Sequence, residues 1–281
     1  MNYRHLYHAG NFADVFKHAL MARALDYLAR KDAPLFYLDT HAGGGEHDLT
    51  SAEARRTGEW RDGVGRLLDA SLPAAMNDLV APYMKAARLM DTEARETYRG
   101  SPLLAQALTR ARDRLILCEL HEHDARTLKR AIGRDRRVKI LNMDGYVALN
   151  AFVPPPERRG LVLVDPPFEA TDEFPRLADG LAKAWAKWRT GVYMAWYPRK
   201  DLAAVGAFKR ALVAAGPRKV LCLELDVAAP APDAPLAGSG LIVINPPHVL
   251  ESEARALLPF LATLLARGPG GGWRVDWVAG E

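Results

Sequence analysis

Gly160-Leu-Val-Leu-Val-Asp165-Pro-Pro-Phe168 decides how the rest of the chain is read. Leu161 to Val164 are apolar without alternation, the pattern of a strand covered on both faces, as in a parallel sheet. Two prolines cannot extend a ladder, so the strand stops at Asp165. Open α/β sheets bind ligands at the carboxyl ends of their strands, and the tetrapeptide falls there. It offers a carboxylate, carbonyls on a stiff backbone and a flat ring. Asp165 and the carbonyl of Pro166 suit the hydrogens of an exocyclic amine, and Phe168 suits stacking on a planar base. Methyl transfer to such an amine is the chemistry these groups point to; a bare strand-and-turn is the plainer alternative.

Working outward, Leu35-Phe-Tyr-Leu-Asp39 is a second core strand, followed by Thr40-His-Ala-Gly43-Gly-Gly45. Gly43 and Gly45 allow a tight turn and close backbone approach to a ligand. No Gly-Lys-Ser/Thr follows, which excludes a P-loop, and Asp48 stands where a dinucleotide fingerprint needs its third glycine. The spacing D-x-x-x-G-x-G after a strand resembles the S-adenosylmethionine loop of Rossmann-like methyltransferases.

Further strands are predicted at Arg114–Glu119, Val138–Met143, Gly191–Pro198, Lys219–Val227 and Gly240–Asn245, with residues 228–239 joining the last two as a hairpin. This makes a mostly parallel, seven-stranded α/β sheet. Glu119, at a strand's carboxyl end, suits ribose hydroxyls, although the interval from Gly45 far exceeds the roughly 20 residues usual for that role. Residues 46–100 account for the excess. They lack a convincing strand and read as an inserted helical subdomain, leaving 1–45 and 101–281 as the Rossmann-like domain. Ser101 is expected to cap a helix over 102–112, with Pro102 in its first turn. Asp144-Gly145 closes a strand where an adenine amine could bind; a simple turn explains it equally well. Asn245-Pro-Pro-His248 repeats the Asp165 pattern without the stacking ring and is read as a decoy.

The N-terminal 1–30 segment opens with Tyr3, Arg4, His5, Tyr7 and His8. Asn11 or Asp14 can cap a helix to about Arg30, with Phe16, Leu20, Ala24, Tyr27 and Leu28 on one apolar face. Tyr3, Arg4 and Lys17 can meet phosphates and bases, with a docking helix as the alternative. The basic run Lys129, Arg130, Arg134, Arg136, Arg137, Lys139 is read as a solvated helix end rather than an RNA contact.

Composition sets limits. With 281 residues, 49% hydrophobic and 26% charged, the chain can bury one large α/β core. The net charge of +4 is compatible with nucleic acid but also with much else. Neither an apolar run of roughly 20 residues nor a hydrophobic signal core is present, so the expected location is the cytoplasm, with no membrane partner. Cys118 and Cys222 sit in apolar strands without metal-ligand spacing, and no metal is expected.

Taken together, Tyr3-Arg-His-x-x-His-Ala-Gly-Asn-x-Ala-Asp-Val-x-Lys17-His18, Leu38-Asp-Thr-His-Ala-Gly-x-Gly45, Arg56-Thr-Gly-Glu59, Gly100-Ser-Pro102, Glu119-Leu-His121, Asp165-Pro-Pro-Phe168, Trp196-Tyr-Pro198 and Ser239-Gly-x-x-x-Ile-Asn-Pro-Pro247 closely resemble the bacterial 23S ribosomal RNA adenine-N6 methyltransferases that modify adenine 2030. The resemblance spans essentially the whole chain. It implies a Rossmann-like domain with a small helical insertion, S-adenosylmethionine as donor and 23S ribosomal RNA as partner; a monomer is expected. His18, His41, Ser101, Glu119, Asp144, Gly145 and Asp165 become cofactor-site candidates, beside Gly43 and Gly45. Asp165 is also the catalytic candidate, and Tyr3 a contact to the target RNA. Phe168 replaces a tyrosine frequent among relatives, which keeps the stacking face. Methylation of a DNA adenine or a protein glutamine, and a non-catalytic RNA-binding module, are the competing readings.

Overall fold

The computed structural model of the chain describes residues 8–91, 95–231 and 234–280. Eight strands form the main sheet: β1 (Phe36–Asp39), β4 (Arg114–Glu119), β5 (Val138–Asn142), β6 (Gly160–Val164), β7 (Val192–Pro198), β8 (Val220–Asp226), β9 (Gly238–Ile244) and β10 (Gly272–Ala279). Their order is β10-β8-β9-β7-β6-β1-β4-β5. The contiguous block β7-β6-β1-β4-β5 is parallel, β9 is antiparallel to both β7 and β8, and β10 is antiparallel to β8. The predicted seven strands are thus joined by β10, an edge strand at Gly272–Ala279. Its exposed Trp273 and Trp277, with only Val275 deeply buried, kept it from reading as a sheet member.

The run 161–164 behaves as a doubly covered strand must. Leu161 and Leu163 enter one apolar cluster, Val162 and Val164 the other. On the first side lie α1 (Phe12–Ala29), α5 (Ser101–Leu108), α6 (Glu122–Ile132) and α10 (Leu250–Leu264); on the second lie α7 (Gly145–Ala151), α8 (Glu173–Lys187) and α9 (Leu202–Ala214). Because β6 is flanked by the parallel strands β1 and β7, the Asp165 corner projects from the same end as Asp39, Glu119 and Asp144.

Asn11 caps α1, its side chain accepting from the backbone of Ala13 and Asp14. The helix differs from the single apolar face expected. It packs against α5, α10 and α4 (Ala74–Ala86), and residues 12–25 are buried without a break. Its polar members are therefore paired internally, as for Arg23 with Glu253.

Residues 46–100 leave and rejoin the sheet through β2 (Glu46–Asp48) and β3 (Thr97–Arg99), a short antiparallel ribbon that hydropathy did not betray. Gly100 N donates to Gly45 O at 2.8 Å across its base. Besides α4 the block holds α2 (Ala52–Thr57) and α3 (Val64–Asp69). Val64, Val80 and Tyr83 belong to the same apolar cluster as α1, so the block has no separate core. No helix among the described residues is long and apolar enough to cross a membrane.

Candidate active site

A cavity of about 500 Å³ opens where β1, β4, β5, β6 and β7 end. It brings together Lys17, His18, His41, Gly43, Ser101, Glu119, Asp144, Gly145, Asp165, Pro166 and Phe168. Gly45 is not on its wall but shapes the turn below it, at φ 83°. Tyr3 and Arg4 lie outside the described residues.

Asp165 follows β6 and is engaged by Lys17, whose Nζ donates to Oδ2 at 2.5 Å. The same ammonium lies 3.0 Å from Asp14 Oδ1. Burial opposes the charge of Lys17, but the two carboxylates outweigh it and hold its pKa above the ordinary value. Expected from the sequence to meet phosphates and bases, Lys17 is only 4% exposed, lines the cavity and has its charge matched by these two carboxylates. Phe168 adopts φ 51°, which an L side chain rarely takes. Its ring is held edge-on between Phe174 at 4.8 Å and Trp196 at 5.7 Å.

The glycine turn carries Gly43 at φ 62°, where an added Cβ would meet no protein atom within 4 Å. Its N–H donates to Glu119 at 2.9 Å, and His121 N donates to the other oxygen at 2.7 Å. Burial raises the Glu119 pKa against these bonds. Asp144 caps α7 by accepting from Tyr146 N and Val147 N. At Gly145 a Cβ would lie 2.4 Å from Thr40 O and 2.6 Å from His41 Cε1, so only glycine lets α7 approach the β1 turn. His41, bonded through Nδ1 to Thr40 Oγ1 at 2.8 Å, is driven by burial down to about 4 and stays neutral.

Ser101 is not the helix cap; Gly100 holds that place. The Ser101 hydroxyl instead donates to Asp39 at 2.7 Å, joined there by Tyr37 OH at 3.0 Å. Burial lifts Asp39 to about 6, against these bonds. Asp39 was not among the candidates, although it is the acid of D-x-x-x-G-x-G. Trp196, also overlooked as a site residue, lines the cavity from β7. His18 is buried, its Nδ1 2.7 Å from Tyr98 OH. At the rim, Glu59 lies 3.0 Å from His8 Nδ1 and accepts from Asn11 Nδ2, joining the 46–100 block to the entrance of α1. That hydrogen bond raises the His8 pKa.

Position bears on two further sequence features. Because β9 runs antiparallel to β7, Asn245 emerges at the opposite end of the sheet, where its side chain donates to the carbonyls of Arg189 and Gly191. Arg137, within the basic run, is engaged by Asp135 and by the carbonyls of Thr109 and Gln106. Among the described residues no three His, Cys, Asp or Glu side chains are grouped to hold a metal ion.

An adenosine-bearing cationic donor fits these groups: open space over Gly43, carboxylates at the ends of β4 and β5, and an acidic interior. The fold and site define the class of Rossmann-like methyltransferases, which use S-adenosylmethionine. A family model described as ribosomal RNA large subunit methyltransferase D, RlmJ, matches residues 32–279. The chain is 37% identical over 284 residues to ribosomal RNA large subunit methyltransferase J of Haemophilus influenzae, with 100% of each chain covered. To the protein of that name from Escherichia coli K12 it is 38% identical over 286 residues, again with full coverage of both. The crystal structure of a Legionella pneumophila protein matches with a TM-score of 0.87 at 34% identity, covering 96% of this chain and 98% of that one. The chain belongs to the RlmJ family of large-subunit ribosomal RNA methyltransferases.

Proposed function

We propose that the protein methylates the N6 amine of one adenine, position 2030 of 23S ribosomal RNA, by direct in-line transfer, working as a single chain in the cytoplasm. The observation that carries this reading is the Asp165-Pro-Pro-Phe168 corner opening into the same cavity as Gly43, Glu119 and Asp144. When bound, S-adenosylmethionine supplies a methyl group on a cationic sulfur. Glu119 and Asp144 would hold its adenosine, and the backbone at Gly43 would leave room for it.

The N6 lone pair of adenine is delocalised into the ring, which makes the amine a poor nucleophile. Lys17 engages Asp165 Oδ2, which leaves Oδ1 to accept one amine hydrogen while the Pro166 carbonyl accepts the other. That pairing favours a tetrahedral nitrogen and frees its lone pair. Phe168 supports the base by stacking. Positive charge growing on the nitrogen is met by a carboxylate already in place, which needs no reorganisation. Asp165 is the group placed to take the departing proton. Holding donor and amine in line supplies much of the acceleration.

The test is transfer of tritiated methyl from S-adenosylmethionine to protein-free 23S RNA lacking the modification, with the product nucleoside identified by mass spectrometry. N6-methyladenosine at a single adenine is the expected result. Label in DNA or in a protein glutamine, and none in RNA, would replace this reading.

A further inference from the structure

Trp196 lies near the carboxyl end of β7, where its half-buried indole forms part of the cavity wall. Three contacts fix it. Nε1 donates to Ser239 Oγ at 2.7 Å. The ring meets Phe168 edge-on, at 5.7 Å and 78° between planes. Lys17 Nζ lies 5.9 Å from its centroid, within cation–π range. Trp196 thus touches both the stacking ring and the cation that holds Asp165.

Ser239 is fully buried in β9, whose register pairs it with Pro198. It is therefore the diagonal cross-strand neighbour of Trp196, within reach of a long side chain. A buried indole N–H needs an acceptor, and this hydroxyl fixes which way the ring plane faces. The need is specific to this corner. Phe168 holds a left-handed backbone, a conformation that persists only when its surroundings impose it. Phe174 closes one edge of the Phe168 ring and Trp196 another.

Resting on the methyl-transfer reading above, we infer that Trp196 is a positioning residue for that reaction: oriented by Ser239, its indole sets the Phe168 ring and packs over the Lys17–Asp165 pair, so that base and carboxylate keep one relative geometry. The reversed strand β9 supplies this anchor. W196F keeps an aromatic edge but loses the bond to Ser239, and S239A removes the acceptor while leaving the indole.

The experiment compares the full-length wild type, W196F, S239A and the double variant. It reads kcat and KM with protein-free 23S RNA, and S-adenosylmethionine affinity by calorimetry. Each single variant is expected to lose about tenfold in kcat, the scale of a small misplacement at a reacting centre. KM for RNA and donor affinity should stay within about twofold of wild type. The double variant should be no slower than W196F, because both changes break one bond. Unchanged kcat in both single variants overturns the role of Trp196. So does a loss of kcat that merely tracks the fraction of protein able to bind donor. A wild type that makes no N6-methyladenosine instead defeats the reading beneath.

Discussion

Lys17 and Asp165 stand 148 residues apart in sequence and 2.5 Å apart in the fold. The first belongs to a helix buried without a break from Phe12 to Leu25, the second to the corner where β6 stops. Their pairing ties the opening helix to the reacting centre, with Asp14 as a second anion 3.0 Å from the same ammonium.

Asp165→Asn is expected to lower methyl transfer by at least about a hundredfold, the scale seen when a group facing developing charge is removed. Asn keeps the shape of the side chain, and Asp14 still pairs with Lys17, so the thermal transition should persist. Turnover near wild type in the tritium assay would remove Asp165 from the mechanism.

Lys17→Met leaves Asp14 and Asp165 without their shared cation. Removing one partner of a buried pair is strongly destabilising, by about 3–5 kcal/mol. Urea unfolding should show the loss. Lys17→Met combined with Asp14→Asn should recover part of it, because one unmatched charge disappears with the second change.

The pH dependence of stability should carry two opposed contributions. His41 stays neutral in the fold down to about 4 but titrates near 6.5 in the unfolded chain. The unfolded state takes up the proton in that window, so this contribution falls as pH drops from 6.5 to 4 and then levels off. Asp39 binds its proton up to about 6 in the fold, against 3.8 unfolded. Its contribution therefore falls as pH rises from 3.8 to 6. Relative to wild type, His41→Asn should make stability decline with rising pH across 4–6, and Asp39→Asn should make it climb. Urea midpoints at four pH values would decide; slopes that change in the same direction contradict the assignment.

Gly43 and Gly145 should separate binding from stability. Gly145→Ala drives a Cβ into Thr40 O and His41, and overpacking of this kind costs about 1–3 kcal/mol. Gly43→Ala meets no protein atom and is penalised only by its left-handed backbone, about 1–2 kcal/mol. Yet its methyl would occupy the space read as the donor's. Melting without donor should therefore rank Gly145→Ala lower, while calorimetry with S-adenosylmethionine should find binding sharply weakened in Gly43→Ala despite its folded state.

What the sequence made legible was local chemistry with a fixed consequence. Two prolines end β6, Asn11 caps α1, and an unbroken apolar run is covered twice. Ser101 misled because a good cap residue beside Pro102 has the right local signature, while its actual partner, Asp39, lies at the end of β1. Lys17 shows the same limit of a local reading: nothing near it in sequence announces Asp165, which only the fold places against it. The all-round burial of α1 depends on α4 and α10, which no window around residue 20 contains. Asn245-Pro-Pro-His248 shows the converse case, where the direction of β9 rather than the motif itself decides which pole of the sheet it occupies.

The place of α1 and β1 in the chain has a consequence for synthesis. Among the described elements, the helix buried from Phe12 to Leu25 precedes every other, and the strand that follows it waits for both partners. β4 follows only after the 46–100 block, and β6 later still. At about 5–20 residues per second, β1 stays half-paired on the ribosome for on the order of ten seconds. Over that interval α1 gains only part of its cover: α4 and α5 are made before β6, whereas α10, which closes over the same helix, comes after it.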